Sequence, residues 1–166
     1  MFGVGLVGTG IIGAEHANAL KMLSSKARLV GAYDKDEKRL SSFCQQHGID
    51  RTFESASRLI HDPDVHLVTV ATPPSSHEDL VCAALDAGKY VLCEKPLAHT
   101  LSSARRIAEK AEQHPGRLSV SYQLRYEPQY RRMLWFIENG WIGDRKSAFL
   151  ERHGYIPHSI AAGDSW

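Results

Sequence analysis

Short runs of almost wholly apolar residues, at 3–7, 28–33, 66–71, 89–93 and 117–122, alternate with stretches of helical composition at 11–23, 36–47, 55–61, 76–87 and 101–112. A strand that is apolar at nearly every position must be covered on both faces, and strands separated by helices pair in parallel. Because such crossovers are right-handed, the pattern predicts an α/β fold, a doubly wound parallel sheet. Beyond residue 122 the pattern changes. Pro128 opens an expected helix over 128–139, Gly140 follows its end, and a turn leads towards one more expected strand at 146–152. The chain is therefore read as residues 1–122, with a complete sheet and its helices, and residues 123–166, with a junction helix and only the start of a second α/β domain.

The first strand runs into "GTGIIG", Gly8 to Gly13, which opens the first helix. In a GxGxxG of this context Gly8 makes the tight turn, Gly10 lets a pyrophosphate approach the backbone, and Gly13 permits close helix–strand packing. The helix start at Ile11 and Ile12 offers free N–H groups and a positive dipole end to the phosphates. Asp34 closes the second apolar run, where an acid takes the adenosine ribose hydroxyls; its alternative is a helix N-cap before "KDEKRL". A carboxylate there disfavours a 2′-phosphate and so selects NAD, while nearby Lys35 and Arg39 keep NADP open.

In a doubly wound sheet ligands bind beyond the carboxyl ends of the strands. Two segments reach that edge, after strands taken here as the fourth and fifth. Thr72, Pro73 and Pro74 form a rigid wall, with Ser75 or Ser76 to cap the next helix and His77 in its first turn, either lining the cofactor or facing solvent. Glu94, Lys95 and Pro96 follow the other strand. An ammonium at this point can hydrogen-bond a substrate hydroxyl and ease its deprotonation, a neighbouring carboxylate can fix the lysine and its charge, and a cis Lys-Pro bond is one way to aim it. The alternative is a surface ion pair at a turn.

Composition excludes other classes. Acids and bases are mixed along the chain to a net charge of +1, which leaves no electrostatic footprint for nucleic acid or an anionic membrane. No apolar run approaches the roughly 20 residues of a membrane span, and "MFGVGLVGTG" lacks a basic n-region. Cys44, Cys82 and Cys93 have no CxxC spacing and read as reduced thiols of a cytoplasmic protein; the histidines are scattered without metal-ligand spacing.

"GLVGTGIIGAEHANAL", "ATPPSSHEDL", "CEKPLAHT" and "YQLRYEP" stand in an order and spacing that resembles the Gfo/Idh/MocA family, which includes glucose–fructose oxidoreductase and inositol dehydrogenase. The resemblance implies NAD(P)-dependent hydride transfer at a carbinol carbon of a sugar, cyclitol or similar polyol. It implies that Gly8, Gly10 and Gly13 hold the pyrophosphate, Asp34 the ribose, and that Thr72, Pro73 and His77 line the nicotinamide side. Lys95 becomes the catalytic residue, contacting substrate and nicotinamide ribose, with Glu94 beside it and a cis bond before Pro96. Arg125, in "QLRYEP", matches an arginine at the domain junction and, like Glu94, is expected among the cofactor-binding residues. His16 matches a frequent histidine, read here as a packing residue of the first helix.

The resemblance also implies a second α/β domain, homo-oligomers of the full-length form, and an Asp/His pair in a "DxGxH" motif that these residues do not contain. Cofactor binding without turnover is thus expected of the chain alone, with a loose or self-associating end after residue 146. Two further functions compete: a nucleotide-binding module without catalysis, which needs only the glycine loop and Asp34, and an NAD-dependent glycosidase of the same family, which would release a sugar leaving group without net NADH.

Overall fold

The computed structural model describes residues 1–144, 146, 147, 149 and 151. Chain order is β1 (Phe2–Val7), α1 (Ile11–Met22), β2 (Ala27–Tyr33), α2 (Glu37–His47), α3 (Ala56–Ile60), β3 (Leu67–Val70), α4 (His77–Asp86), β4 (Tyr90–Cys93), α5 (Leu101–Glu112), β5 (Leu118–Val120) and α6 (Pro128–Glu138). The backbone divides into a compact unit over Met1–Ser121 and a second that begins at Tyr122.

The first unit is one sheet of five parallel strands in the order β2-β1-β3-β4-β5. The fold is the expected Rossmann-type α/β arrangement, with one correction to the strand count. The segments bearing Thr72 and Lys95 follow β3 and β4, not a fourth and a fifth strand. Where another strand would stand after β2, the chain makes a single bridge between Ala32 and Thr52.

Successive strand residues point to opposite faces, and β1 divides accordingly. Leu6 joins Ala17 of α1 and Leu40 and Phe43 of α2 on one face. Val7 joins Val68, Val70, Val91, Leu59, Val81 and Leu85 on the other, under α3 and α4. Burying each such side chain contributes about 1.5–3 kcal/mol, so the apolar runs are stable only with helices on both sides.

Local chemistry sets the helix ends. Asp36 caps α2 by accepting the N–H of Arg39, and Gly48 ends it at φ 68°. Ser55 caps α3 and Thr100 caps α5 in the same manner as Asp36. By contrast α1 and α4 have no side-chain cap. Ser76 does not fill the expected capping role: its hydroxyl donates to Thr72 Oγ1 at 2.8 Å, within reach of the Pro73 carbonyl as well, and so tightens the turn after β3.

In the second unit, Pro128 stands in the first turn of α6 and Gly140 follows at φ 73°, as expected. Arg132 lies over the rings of Trp135 and Phe136. Of the strand expected at 146–152, Lys146, Ser147, Phe149 and Glu151 are not in regular structure, and the other positions lie outside the described residues, as does the stretch 155–166. Among the described residues no helix is long and apolar enough to cross a membrane, and no cluster of acids, histidines and cysteines could hold a metal ion. The three cysteines are free.

Candidate functional site

Strand register gathers the sequence-predicted residues of the first unit at one edge. Val7 pairs with both Tyr33 and Val70, and Val70 with Cys93. The hydrogen-bond ladder continues one step beyond the strands: Gly8 N–H donates to Tyr33 O, Ala71 N–H to Val7 O, and Glu94 N–H to Val70 O, at 2.8–2.9 Å. Gly8, Asp34, Ala71 and Glu94 therefore form a row. It lies where the strand order reverses about β1, the place at which open α/β sheets bind ligands.

The three glycines of the loop are needed for different reasons. Gly8 has φ 96°, and a Cβ on it would lie 2.4 Å from Ala71 O; a Cβ on Gly13 would lie 2.3 Å from Gly8 O. Those two positions close the turn and seat α1 against it. Around Gly10 a Cβ would meet nothing within 4 Å, so that face is open backbone. Gly10 is also the N-cap of α1, which has no side-chain cap and no acid in its first turn. An uncapped helix start beside open glycine backbone suits a pyrophosphate. Ile11 and Ile12, which are 57% and 40% exposed, flank it, and their part in binding would come from the backbone N–H groups.

Asp34 is almost completely buried and does not cap a helix; Asp36 does that. Its Oδ2 accepts both the N–H and the hydroxyl of Thr9, and its Oδ1 accepts the N–H of Asp36. Burial disfavours the charged form, but these bonds, with the Arg39 guanidinium 3.9 Å away, outweigh it and hold the carboxyl below its ordinary range. Asp34 is thus an oriented carboxylate at the end of β2. Thr9 escaped the sequence reading; its only signal there was a hydroxyl at a variable position of the glycine motif.

After β3, Thr72 and Pro73 are half-buried. His77 departs from both alternatives for it, because its ring is completely buried beneath the edge. Nε2 lies 2.8 Å from Thr72 O, while Nδ1 lies 3.0 Å from Pro96 O and 3.3 Å from Cys93 Sγ. A ring with no exposed surface cannot line a groove. It ties the loop after β3 to the loop after β4 and holds Thr72 and Pro96 in place. Burial, aided by the charge of Glu94, pushes the Cys93 thiol up to about 12, so it remains an uncharged packing group.

Lys95 is exposed, and the Lys95–Pro96 peptide is cis. Glu94 was expected to fix the charge of the lysine; instead it fixes its backbone. Glu94 Oε2 accepts the Lys95 N–H at 3.1 Å, and Oε1 lies 2.9 Å from His16 Nε2. Lys95 Nζ has no ion-pair partner among the described residues. The packing role read for His16 is corrected accordingly: its ring is a hydrogen-bond partner of the edge. The available signal was its place one turn after Ile12, on a helix that begins at that edge. Arg125 lies in the second unit, exposed, in the short 3-10 turn Gln123–Tyr126.

Comparison with known proteins places the fold in a family. An inositol 2-dehydrogenase of Acidothermus cellulolyticus is 34% identical over 164 residues, 98% of this chain and 48% of the relative. A probable dehydrogenase from Thermotoga maritima superposes with a TM-score of 0.80 at 32% identity, covering 86% of this chain and 42% of that one. A myo-inositol dehydrogenase from Lactobacillus casei, in complex with NAD(H) and myo-inositol, gives a TM-score of 0.80 at 30% identity, over 86% of this chain and 43% of that one. The chain spans about half the length of the curated relatives it matches. Residues 2–122 match the model of an oxidoreductase family with an NAD-binding Rossmann fold. The chain belongs to that family, Gfo/Idh/MocA, whose Rossmann fold binds NAD.

Proposed function

We propose that this chain is the cofactor-binding part of a dehydrogenase that acts on a secondary alcohol of a cyclitol or related polyol. The observation that carries the reading is Lys95: an exposed ammonium without an ion-pair partner among the described residues, on the same sheet edge as the open glycine backbone and the oriented Asp34. Bound NAD would supply the hydride acceptor, and this chain would supply residues that position it. The N–H groups at the start of α1, beside Gly8, Gly10 and Gly13, hold the pyrophosphate. Asp34 accepts the adenosine ribose hydroxyls and repels a 2′-phosphate, which favours NAD over NADP. Thr72 and Pro73 wall the nicotinamide side. Lys95 Nζ donates a hydrogen bond to the substrate hydroxyl and stabilises the oxygen as its proton leaves.

The inositol dehydrogenases among the relatives support a cyclitol substrate. The same reading takes residues 1–122 as the cofactor domain, with 123–166, including Arg125, as the junction to a substrate domain. It also takes the working protein as a cytoplasmic homo-oligomer. The test is calorimetric titration of the chain with NAD(H) and NADP(H), joined to NADH production from a panel of inositols and sugars by the protein that carries it. Lys95→Met should leave NAD affinity within about threefold and abolish turnover. A Lys95→Met protein that keeps most of its kcat would sink the reading of the lysine. Sugar release without NADH would move the reading to a glycosidase.

A further inference from the structure

His16 sits on α1, the helix that starts at the glycine loop, and Glu94 in the loop that carries Lys95; they are 78 positions apart in sequence. Their side chains are only 17% and 11% exposed, with His16 Nε2 and Glu94 Oε1 2.9 Å apart. A carboxylate accepts and cannot donate while ionised, so Nε2 carries the proton of this bond. The other oxygen of Glu94 accepts the Lys95 N–H. Both oxygens of a mostly buried carboxylate are therefore occupied, and neither reaches the ammonium of its own neighbour in sequence.

We propose that His16 is a positioning residue for Lys95, acting through Glu94. By holding Oε1, it keeps the carboxylate turned towards the Lys95 backbone and away from Nζ. The peptide from which the lysine side chain projects is thereby fixed, and its ammonium is left available for a substrate hydroxyl. Without the His16 N–H, Oε1 loses its donor. The nearest unpaired cation in sequence is then Lys95 Nζ, and an ion pair there withdraws the ammonium from the substrate. Because His16 belongs to α1, the same bond ties the helix that receives the pyrophosphate to the loop that carries the lysine. The inference rests on the role of Lys95 proposed above.

The test uses the 15N-labelled chain and three variants. In His16→Ala the Lys95 amide proton, held downfield by the carboxylate, should move upfield, while NAD affinity stays within about threefold. His16→Gln, which keeps an N–H donor at the end of the side chain, should restore the resonance. In the dehydrogenase assay of the protein carrying this chain, His16→Ala should lower kcat about ten- to a hundredfold with KM for the polyol little changed. His16→Gln should recover most of that loss. An unmoved Lys95 amide in His16→Ala, or a Gln variant as impaired as the Ala variant, would overturn the proposal. Lys95→Met separates the two ideas. If it is active, the reading of the lysine fails; if it is inactive while His16→Ala keeps full kcat, only the positioning role fails.

Discussion

Thr9 donates two hydrogen bonds to one oxygen of Asp34, from its backbone N–H at 2.8 Å and from its hydroxyl at 2.9 Å. The glycine loop and the acid that ends β2 are thus one unit before any ligand arrives. Replacing Thr9 by Val keeps the shape and removes the hydroxyl. A bond to a charged, buried acceptor contributes about 1.5–3 kcal/mol, so Thr9→Val should lose about that much in urea unfolding. Its NAD affinity should fall while affinity for NADP changes less. Equal weakening of both cofactors in calorimetry would show that Thr9 acts on the loop alone.

Asp34 itself makes two predictions. Asp34→Gly removes the carboxylate that a 2′-phosphate would meet and releases Arg39, 3.9 Å away, so the preference for NAD over NADP should narrow or reverse. The acid also links stability to pH. Its folded-state pKa lies below the ordinary 3.8, so its contribution is fully present above about that pH and is lost as pH falls through the folded value. Asp34→Asn should lack that part of the acid unfolding curve; an unchanged curve would contradict the sign.

Two glycines of one motif should respond oppositely to the same substitution. Gly10→Ala meets nothing within 4 Å, so the chain should fold with near-parental stability. Its NAD affinity should drop about tenfold, roughly 1.4 kcal/mol, because the methyl occupies the space of the pyrophosphate. Gly13→Ala places a Cβ 2.3 Å from Gly8 O and should cost stability first, about 1–3 kcal/mol by forced displacement of α1. Thermal unfolding beside calorimetry separates the two; a Gly10→Ala chain with parental affinity would mean that the open backbone is not the phosphate cradle.

At the other end of α2 from Asp36, His47 packs against Phe43 with the rings tilted and their centroids 4.5 Å apart, and neither ring nitrogen has a hydrogen-bond partner among the described residues. Burial, with the nearby charge of Lys21, holds its pKa below 6.5. The unfolded chain therefore binds the proton first, and stability declines as pH falls below about 6.5 towards the folded value. His47→Leu should remove that decline and add about 1 kcal/mol at neutral pH by replacing unpaired polar atoms with carbon. Denaturant midpoints at several pH values between 4 and 8 give the comparison. Parallel curves for parent and variant would refute it.

Much of this molecule was legible from local sequence. The elements of the first unit start and stop within a residue or so of the apolar runs and caps that announce them, because periodicity, capping side chains and glycines act over a few residues. The glycine loop, Asp34 and Lys95 could be singled out for a related reason: each follows directly from a strand, and in a parallel sheet every strand end arrives at the same edge. What local sequence could not supply was which side chains meet there. Thr9 finds Asp34 across 25 positions, and His16 finds Glu94 across 78. His77 turned out to be a buried strut, and Glu94 the partner of a backbone N–H and not of an ammonium. These outcomes depend on β1 lying between β2 and β3 and on the register that sets Val7 beside Val70 and Val70 beside Cys93. Strand order and register come from the packing of both faces at once. A histidine on a helix therefore carries no local mark of whether it will meet solvent, a core or a carboxylate, and only the closed sheet decides.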